Sequence, residues 1–392
     1  MTNSQQKIMK KLLLLTAGAA LLSFSADSGI AADSTAMIQQ IKNDADPEAV
    51  LQQIKNTVFS VGPNGETAAS AESVQLASEE ISKIAAMHAT GAISLQYTST
   101  EWAQAQIRGV RDQFKKMGIE LIAVTDAGFK AETQVSDIET ILTRKPNIIV
   151  SIPVDPAATA DAFRRAAARG VKLVFMDNSP KGFVPGKDYI SDVSADNYGN
   201  GVVSGLLMAK ALHGKGEIGL IYHAADFFVT RQRYEGFKAI IAKYPGIKIV
   251  AEQGIAGPDF TGDAEKAASA ILTSHPKVNG MWAVWDVPAE GVLSAARAVG
   301  RDPAGLAITT CDLGANIAID MAQDGFVKGT GSQWPIRQAE TEAMLAGYGL
   351  IGKTAPPYVA LPAVPVTKEN ILAAWKQVHG VDAPDLVKKA LQ

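Results

Sequence analysis

The sequence predicts an α/β protein made of two doubly wound parallel-sheet lobes with an N-terminal helical extension. Three observations indicate this class: a length of 392 residues, short apolar runs that alternate with amphipathic segments from Gly91 onward, and a second series of the same kind after the loop at 180–188. Apolar runs without internal alternation are typical of parallel strands that helices cover on both faces. Two similar halves therefore follow a helical start.

The first residues have the three-part layout of a secretory signal. A lysine-containing start is followed by the apolar stretch 12–22 and then by small residues, so we expect cleavage near Ala31 or Ala32. The stretch is shorter than the roughly 20 apolar residues that span a bilayer, which favours a cleaved signal over a membrane anchor. The sequence has no cysteine near this cut. We therefore expect an exported protein without a lipid anchor.

Residues 33–90 differ from the rest of the chain because they are helix-like and poor in strand patterns. Apolar residues recur at helical spacing within 36–41, 47–54 and 70–87, and a loop at 61–65 interrupts them. We expect this extension to pack on the first lobe. The predicted organisation is a signal peptide (1–32), a helical extension (33–90), a first lobe (91–196 plus 334–360) and a second lobe (197–333 plus 361–392).

The elements of each lobe follow from the alternation of strand and helix patterns. In the first lobe, strands are predicted at 92–97, 120–124, 147–151 and 172–176, with helices at 101–117, 131–143 and 156–169. In the second lobe, strands are predicted at 218–222, 248–251, 280–283, 306–310 and 329–332, with helices at 197–212, 230–244, 263–273, 288–299 and 315–323. A further helix is predicted at 335–345.

The composition argues against several classes of function. Lysine and arginine together number 37 against 40 acidic residues, which gives a net charge of −3. The sequence contains no basic block that would bind nucleic-acid phosphates. The single cysteine, Cys311, cannot form a disulfide within the chain, and the five histidines are scattered. We therefore expect no nucleic acid, no metal and no other cofactor.

Two glycine motifs match nucleotide-binding patterns but stand in the wrong context. Residues 347–354 spell a phosphate-binding loop, yet a predicted helix leads into them where a strand is required. Residues 214–219 spell a dinucleotide fingerprint, but they precede a strand instead of following one. We interpret the first motif as the C-terminal turn of a helix.

Residues that follow the predicted strands are the candidate binding residues, because ligands of open α/β sheets bind beyond the carboxyl ends of the strands. The candidates are Tyr97, Thr98, Trp102, Asp177, Asn178, Arg231, Phe260, Trp285, Asp286, Asp312 and Gln333. Aromatic rings offer flat surfaces to the C–H faces of a sugar, while carboxylate, amide and guanidinium groups bind its hydroxyls. The pattern therefore indicates a carbohydrate site.

Structural roles remain open for individual candidates. Trp102 and Trp285 could belong to a lobe core, Asp177 could cap a loop, and Arg231 could be a surface arginine. His223 also follows a strand, but a hydrogen-bonded structural role is favoured for it. The coincidence of so many such residues at one edge of two sheets carries more weight than any single one.

Six segments carry a resemblance to a known family. They are 174–178 (VFMDN), 193–199 (VSADNYG), 230–237 (TRQRYEGF), 272–276 (LTSHP), 311–312 (CD) and 332–335 (SQWP). From about Gly91 to Lys368 the chain resembles the type I periplasmic sugar-binding proteins of ABC importers, in the ribose-binding-like branch. The resemblance implies a Venus-flytrap pair of lobes that are joined by three crossing strands and close on one sugar.

The resemblance also implies roles for individual residues. Trp102 and Phe260 are similar in position to stacking aromatics. Asp177, Arg231, Asp312 and Gln333 are similar in position to residues that bind ring hydroxyls. Three positions depart from the ribose binders, since Ile152, Asn178 and Trp285 stand where those proteins have asparagine, arginine and asparagine. We therefore expect a pentose such as xylose, or a related sugar or polyol, instead of strict ribose specificity.

The expected function is capture of a sugar in the periplasm by a monomeric, non-enzymatic protein that delivers it to a membrane ABC permease. One alternative is a sensor whose closed form presents the sugar to a chemoreceptor or a kinase. Another is an exported enzyme that acts on sugars with Asp177 and Asp286 as an acid/base pair. The sequence shows no dedicated nucleophile or metal set, which disfavours the enzyme.

Overall fold

The computed structural model describes residues 34–225 and 227–392. The predicted signal peptide lies outside the described residues. The described part of the chain belongs to the expected α/β class. The extension contains α1 (Ser34–Gln40), α2 (Pro47–Gln53), β1 (Ala69–Ser70) and α3 (Ser78–Ala85). The first series contains β2 (Thr90–Leu95), α4 (Glu101–Lys116), β3 (Glu120–Asp126), α5 (Ala131–Thr143), β4 (Ile148–Ser151), α6 (Ala160–Ala168), β5 (Lys172–Met176) and β6 (Ser191–Ala195).

The second series and the end of the chain supply the remaining described elements. The second series contains α7 (Asn197–Ala211), β7 (Gly216–His223), α8 (Phe228–Ile241), β8 (Ile247–Ile255), α9 (Phe260–Ser274), β9 (Gly280–Ala283), α10 (Asp286–Ala298), β10 (Ala307–Cys311), α11 (Ala315–Ala322) and β11 (Val327–Ser332). The last part contains α12 (Pro335–Ile351), β12 (Tyr358–Leu361), β13 (Val364–Val366), α13 (Ile371–His379) and α14 (Asp385–Ala390).

Two sheets organise these elements, as the sequence predicts. The first has the strand order β1-β12-β6-β5-β4-β2-β3, and all of its neighbouring strands are parallel. The second has the order β13-β11-β10-β9-β7-β8, parallel except where β13 runs against β11. Central strands such as β4 are buried along their whole length, because helices cover both faces of the sheet.

The predicted strands of both halves are present with end shifts of a few residues. Strands β1, β6, β12 and β13 are absent from the predicted set. Strand β6 reads Ser-Asp-Val-Ser-Ala, so it lacks the apolar run by which the other parallel strands were found. The predicted helix turn at 347–354 agrees with the structure, since α12 ends at Ile351 and its C-cap residue Gly352 adopts the left-handed conformation that favours glycine (φ 72°).

The chain passes between the two sheets at three points in the described part: after β6, after β11, and between β12 and β13. The first and last of these crossings are joined by a backbone hydrogen bond, in which the Asp196 amide donates to the Leu361 carbonyl (2.7 Å). We call these three crossings the hinge region, because they are where the chain connects the two sheets. The lobe boundaries expected from the sequence remain a prediction.

The N-terminal extension packs on the first lobe, as the sequence predicts, and also on the second lobe. Apolar side chains of α1 and α2, such as Ile38 and Leu51, share a buried cluster with Leu206 of α7 and Ile240 of α8. Further along, β1 pairs with β12 as the edge strand of the first sheet. The predicted helix at 70–87 is broken, since a single 3-10 turn and a loop precede α3.

Asp196 binds the N-terminal extension to the hinge region. The bond lies where the extension passes from the second lobe to the first. Its fully buried carboxylate accepts hydrogen bonds from the Phe59 amide (2.8 Å) and from the amide (2.9 Å) and hydroxyl (2.8 Å) of Ser60. It also caps α7 by accepting from the Gly199 amide (2.9 Å). Burial raises the pKa of Asp196 to about 6, and these hydrogen bonds oppose that rise.

We predict that Asp196→Asn lowers the free energy of unfolding by about 2 kcal/mol, because the amide offers one acceptor oxygen to donors that two oxygens now satisfy. Urea unfolding at pH 7 measures the loss. Asp259→Asn is the matched control: Asp259 is an exposed cap of α9 that accepts from the Gly262 amide (3.0 Å), and asparagine caps equally well. Equal losses in the two variants would contradict the prediction.

Candidate functional site

A cavity of about 490 Å³ lies at the carboxyl ends of the strands, and residues from both series of elements line it. Its lining includes Gln96, Tyr97, Trp102, Phe129, Lys130, Ile152, Asp155, Asp177, His223, Phe227, Thr230, Arg233, Phe260, Trp285, Asp312 and Gln333. This is the place that an open α/β topology assigns to a ligand. Its volume falls within the range of small-molecule sites, roughly 300–1,000 Å³.

Asp177 follows β5 and occupies the first-lobe side of the cavity with 2 % of its surface exposed. Its Oδ1 accepts a hydrogen bond from the Ser194 hydroxyl (2.7 Å), and the Asn197 amide donates to that hydroxyl in turn (3.0 Å). Burial is the main cause that raises the pKa of Asp177 to about 6, and the bond from Ser194 opposes it. The carboxyl is therefore ionised at neutral pH but takes up a proton at a higher pH than an ordinary aspartate does.

Arg233 and Asp312 form a buried, two-pronged ion pair on the second-lobe side. The Arg233 Nη1 donates to Oδ2 of Asp312 (2.9 Å) and Nη2 donates to Oδ1 (3.3 Å). The same guanidinium donates to the Asn197 side chain (3.0 Å) and to the Val284 carbonyl (3.3 Å). The paired geometry satisfies most donors of the buried guanidinium, which is the condition under which a buried ion pair is tolerated.

Gln333 and Trp102 extend this network across the cleft. Gln333 follows β11, and its Nε2 donates to Oδ1 of Asp312 (2.9 Å). The indole Nε1 of Trp102 donates to Oε1 of Gln333 (3.2 Å). Trp102 lies in the first turn of α4, which Thr100 caps by accepting from the Ala103 amide (3.3 Å). We call the connected side chains Asp177, Ser194, Asn197, Arg233, Asp312, Gln333 and Trp102 the polar wall.

Aromatic rings form the remaining side of the cavity. We call the rings of Trp102, Tyr97, Phe129, Phe260, Trp285, His223 and Phe227 the ring wall. Ring centroids lie 6.2 Å apart for Trp102 and Tyr97, and 4.5 Å apart for Tyr97 and the stacked Phe129. Phe129 then meets Phe260 of the other lobe edge-on at 5.7 Å, and Phe260 meets Trp285 at 4.9 Å. These offsets are the ones that aromatic pairs prefer.

The structure brings most of the predicted candidates together at this cavity. Those that line it are Tyr97, Trp102, Asp177, Phe260, Trp285, Asp312 and Gln333. Four others do not line it. Thr98 binds the carboxylate of Asp126 through its amide and hydroxyl, and Asn178 is buried but is not part of the lining. Asp286 lies against Gly314, and Arg231 lies on the exposed side of α8.

Arg233 takes the position in the cavity that the sequence assigned to Arg231. The two arginines are two residues apart on one helix, so they point to different sides of it. Val229, Arg233, Gly236 and Ile240 are all buried, a spacing that places Arg233 on the inner face. The segment 230–237 contains both arginines, and its helical phase is the signal that distinguishes them.

Several other lining residues were not among the sequence candidates. Phe129 lies in the turn after β3 with a positive φ of 58°, and turn residues carry no periodic signal. His223 ends β7, and its Nδ1 lies 3.2 Å from the Thr230 hydroxyl. This contact agrees with the hydrogen-bonded role favoured for it, although its ring also lines the cavity. Burial lowers the pKa of His223, so the neutral ring is favoured.

The described residues give no sign of a metal centre or of a membrane span. Among them, no group of three or more histidine, cysteine, aspartate or glutamate side chains could hold a metal ion. In the same part of the chain, no helix is long and apolar enough to cross a bilayer. What the cavity offers is hydrogen bonding at one side and ring stacking at the other.

Comparison with known proteins identifies relatives that share this architecture. Residues 91–354 match the family described as the periplasmic binding protein domain. The D-ribose/D-allose-binding protein of Pseudomonas aeruginosa is 28% identical over 62% of this chain and 76% of its own length. The xylitol-binding protein of Mycolicibacterium smegmatis is 26% identical over 69% of this chain and 75% of its own length.

Solved structures give the same result for the fold. An ABC transporter periplasmic solute-binding protein from Actinobacillus succinogenes with bound D-allose is 25% identical, with a TM-score of 0.63. The match covers 72% of this chain and 99% of that one. A solute-binding protein from Agrobacterium vitis with bound α-D-tagatopyranose shares the fold at 19% identity, with a TM-score of 0.67 over 74% of this chain and 99% of that one.

We predict that Ser194→Ala raises the pKa of Asp177 from about 6 towards about 7, because the variant removes the hydrogen bond that stabilises the ionised carboxylate. Carbon-detected NMR titration of the aspartate carboxyls measures the change. Ser332→Ala is the control, since the Ser332 hydroxyl contacts the Thr330 hydroxyl (2.7 Å) and not Asp177. An unchanged titration of Asp177 in Ser194→Ala would refute the assignment of this bond.

Proposed function

The chain belongs to the type I periplasmic sugar-binding protein family, and from that membership we propose that it captures a monosaccharide or a related polyol by hinge closure and delivers it to an ABC importer. The observation that carries the proposal is the polar wall, in which side chains of both lobes meet in one hydrogen-bonded network at one cavity. A ligand that contacts both sides stabilises the closed form over the open one. The closed form is then what a membrane permease can recognise.

The chemistry of the lining supports a polyhydroxylated ligand. Asp177 and Asp312 offer acceptors and Arg233 offers donors, while Trp102 and Phe260 offer ring faces on opposite lobes. Relatives that bind ribose or allose and xylitol support the same class. Within that class we propose a pentose such as xylose, or a related polyol.

The ligand leaves this protein unaltered in our proposal. Asp177 lines the cavity, whereas Asp286 lies against Gly314 and outside the lining. Two carboxyls that act as an acid/base pair must flank the same bond of one substrate. The arrangement of these two residues therefore supports binding without catalysis. Export through the N-terminal signal, with action in the periplasm, is part of the same proposal.

We predict that isothermal titration detects binding of at least one sugar from a panel of D-xylose, D-ribose, L-arabinose, D-allose and xylitol. Arg233→Lys should weaken that binding by about tenfold or more, because an ammonium group cannot make the two parallel bonds to Asp312. Arg231→Lys is the matched control on the outer side of the same helix, with an expected change within about twofold.

Two outcomes would count against this function. Absence of heat from every pentose, hexose and polyol in a widened panel would exclude the proposed ligand class. Mass spectrometry of ligand recovered after denaturation should return it unchanged, and recovery of a product would instead indicate an enzyme. Equal weakening in Arg231→Lys and Arg233→Lys would show that the buried ion pair does not shape the site.

We also predict that sugar affinity is constant above a pH of about 6 and falls below it. The pKa of Asp177 is raised to about 6 in the protein, and a hydroxyl that donates to the carboxylate stabilises the ionised form. The bound protein therefore holds fewer protons, so binding weakens as the pH falls, by at most about tenfold per pH unit. Titrations from pH 8 to pH 5 test this, and Ser194→Ala should move the midpoint to higher pH. A flat profile in both proteins would be the contrary result.

A further inference from the structure

The two sides of the cavity differ strongly in their capacity for hydrogen bonding. Within the polar wall, Asp312 already accepts from Arg233 and from Gln333, and Gln333 already accepts from Trp102. One oxygen of Asp177 accepts from Ser194. The remaining capacity lies on the other side of the cavity from the second-lobe rings: at the second oxygen of Asp177, around the Arg233–Asp312 pair, and at the first-lobe side chains Gln96, Lys130 and Asp155.

The ring wall offers little to the other edge. Phe260, Trp285 and His223 pack against one another, with centroids 4.9–5.7 Å apart, and Ile152 adds a further apolar surface. Hydroxyls that lose water against such rings gain no partner, and each one weakens binding by roughly tenfold. A free sugar carries hydroxyls around its whole ring, so those that face the second-lobe rings find few partners.

The cavity is also larger than a monosaccharide requires. A hexose has about 12 non-hydrogen atoms, and even at the ~30 Å³ that each water occupies in the liquid it would fill roughly 360 Å³. The cavity measures about 490 Å³, so space for a second group remains. Because rings make up the less polar side, that group is apolar.

Building on the proposed sugar-binding function, we propose that the physiological ligand is a glycoside, a sugar whose polar edge binds the polar wall while an apolar aglycone stacks on Trp285, next to the sugar-facing ring of Phe260. The rings lie on the second lobe, with Phe129 of the first lobe facing Phe260 at 5.7 Å. An aglycone at this place contacts both lobes and adds to the drive for closure. Trp285 is then the residue that separates glycosides from free sugars.

The experiment compares matched ligands by isothermal titration: D-xylose and D-glucose, their methyl glycosides, and their phenyl α- and β-glycosides. For at least one sugar, the phenyl glycoside should bind the protein about tenfold tighter than the free sugar, with the methyl glycoside between them. Trp285→Asn should reduce this ratio to about one, and Phe260→Leu should reduce it in part. Thermal unfolding checks that each variant is folded.

Tyr222→Leu is the matched control, because Tyr222 stacks on Tyr234 outside the cavity, and its ratio should equal that of the unmodified protein. Free sugars that bind at least as tightly as their phenyl glycosides would overturn the inference while the proposed function stands. A ratio that Trp285→Asn leaves unchanged would overturn it as well. No heat from any sugar, polyol or glycoside would overturn the inference and the proposed function together.

Discussion

The buried ion pair between Arg233 and Asp312 is the interaction on which the organisation of this cleft depends. Moving two charges out of water is costly, and their mutual attraction compensates only where the geometry is good and the remaining donors are satisfied. Here the pair is two-pronged, and the Asn197 side chain and the Val284 carbonyl accept further hydrogen bonds from the guanidinium. Gln333 donates a hydrogen bond to the carboxylate. Each of these partners is thereby held in one orientation, which organises the polar wall before any ligand arrives.

One short segment connects this pair to the hinge and to the N-terminal extension. Ser194 donates to Asp177 in the cavity, Asp196 accepts from Phe59 and Ser60 of the extension, and Asn197 accepts from Arg233. These residues lie where the chain first crosses between the sheets. The part of the extension that packs on the second lobe therefore ends at the same turn that positions the binding side chains. The next part of the extension contains β1, which pairs with the first sheet. The residues that anchor the extension and those that position the binding side chains therefore lie in one turn.

The parts of this arrangement that sequence reasoning reached are those governed by local rules. Asp177 and Asp312 could be found because parallel strands end at one edge of a sheet, and the residue after each strand lies at that edge. Identifying Arg233 required knowing which face of α8 is buried. Side-chain direction turns by about 100° per residue along a helix, so Arg231, two positions earlier, lies on a different face. Phe129 sits in a turn with positive φ, and no periodicity marks it.

The extension was beyond local reasoning for a different physical reason. Its role depends on contacts between Ser60 and Asp196, which are 136 residues apart, and on pairing of Ala69 with Val359. Such contacts arise from the closure of long loops, and the chain pattern near residue 60 contains no trace of the partner. The apolar spacing of α2 predicts a helix but not which lobe its buried face covers. Only the assembled fold identifies that surface as α7 and α8.

In the proposed function, preorganisation of the polar wall gives the ring wall its weight in recognition. Side chains that are already fixed by one another lose little freedom when a ligand binds, so each new hydrogen bond contributes more of its energy to affinity. The same mutual bonding leaves few acceptors and donors unoccupied, which limits how many hydroxyls the wall can hold. Further affinity must then come from stacking and from exclusion of water by the rings of both lobes. In the proposed function, the polar edge therefore sets the orientation of the ligand, and the apolar face supplies contact area.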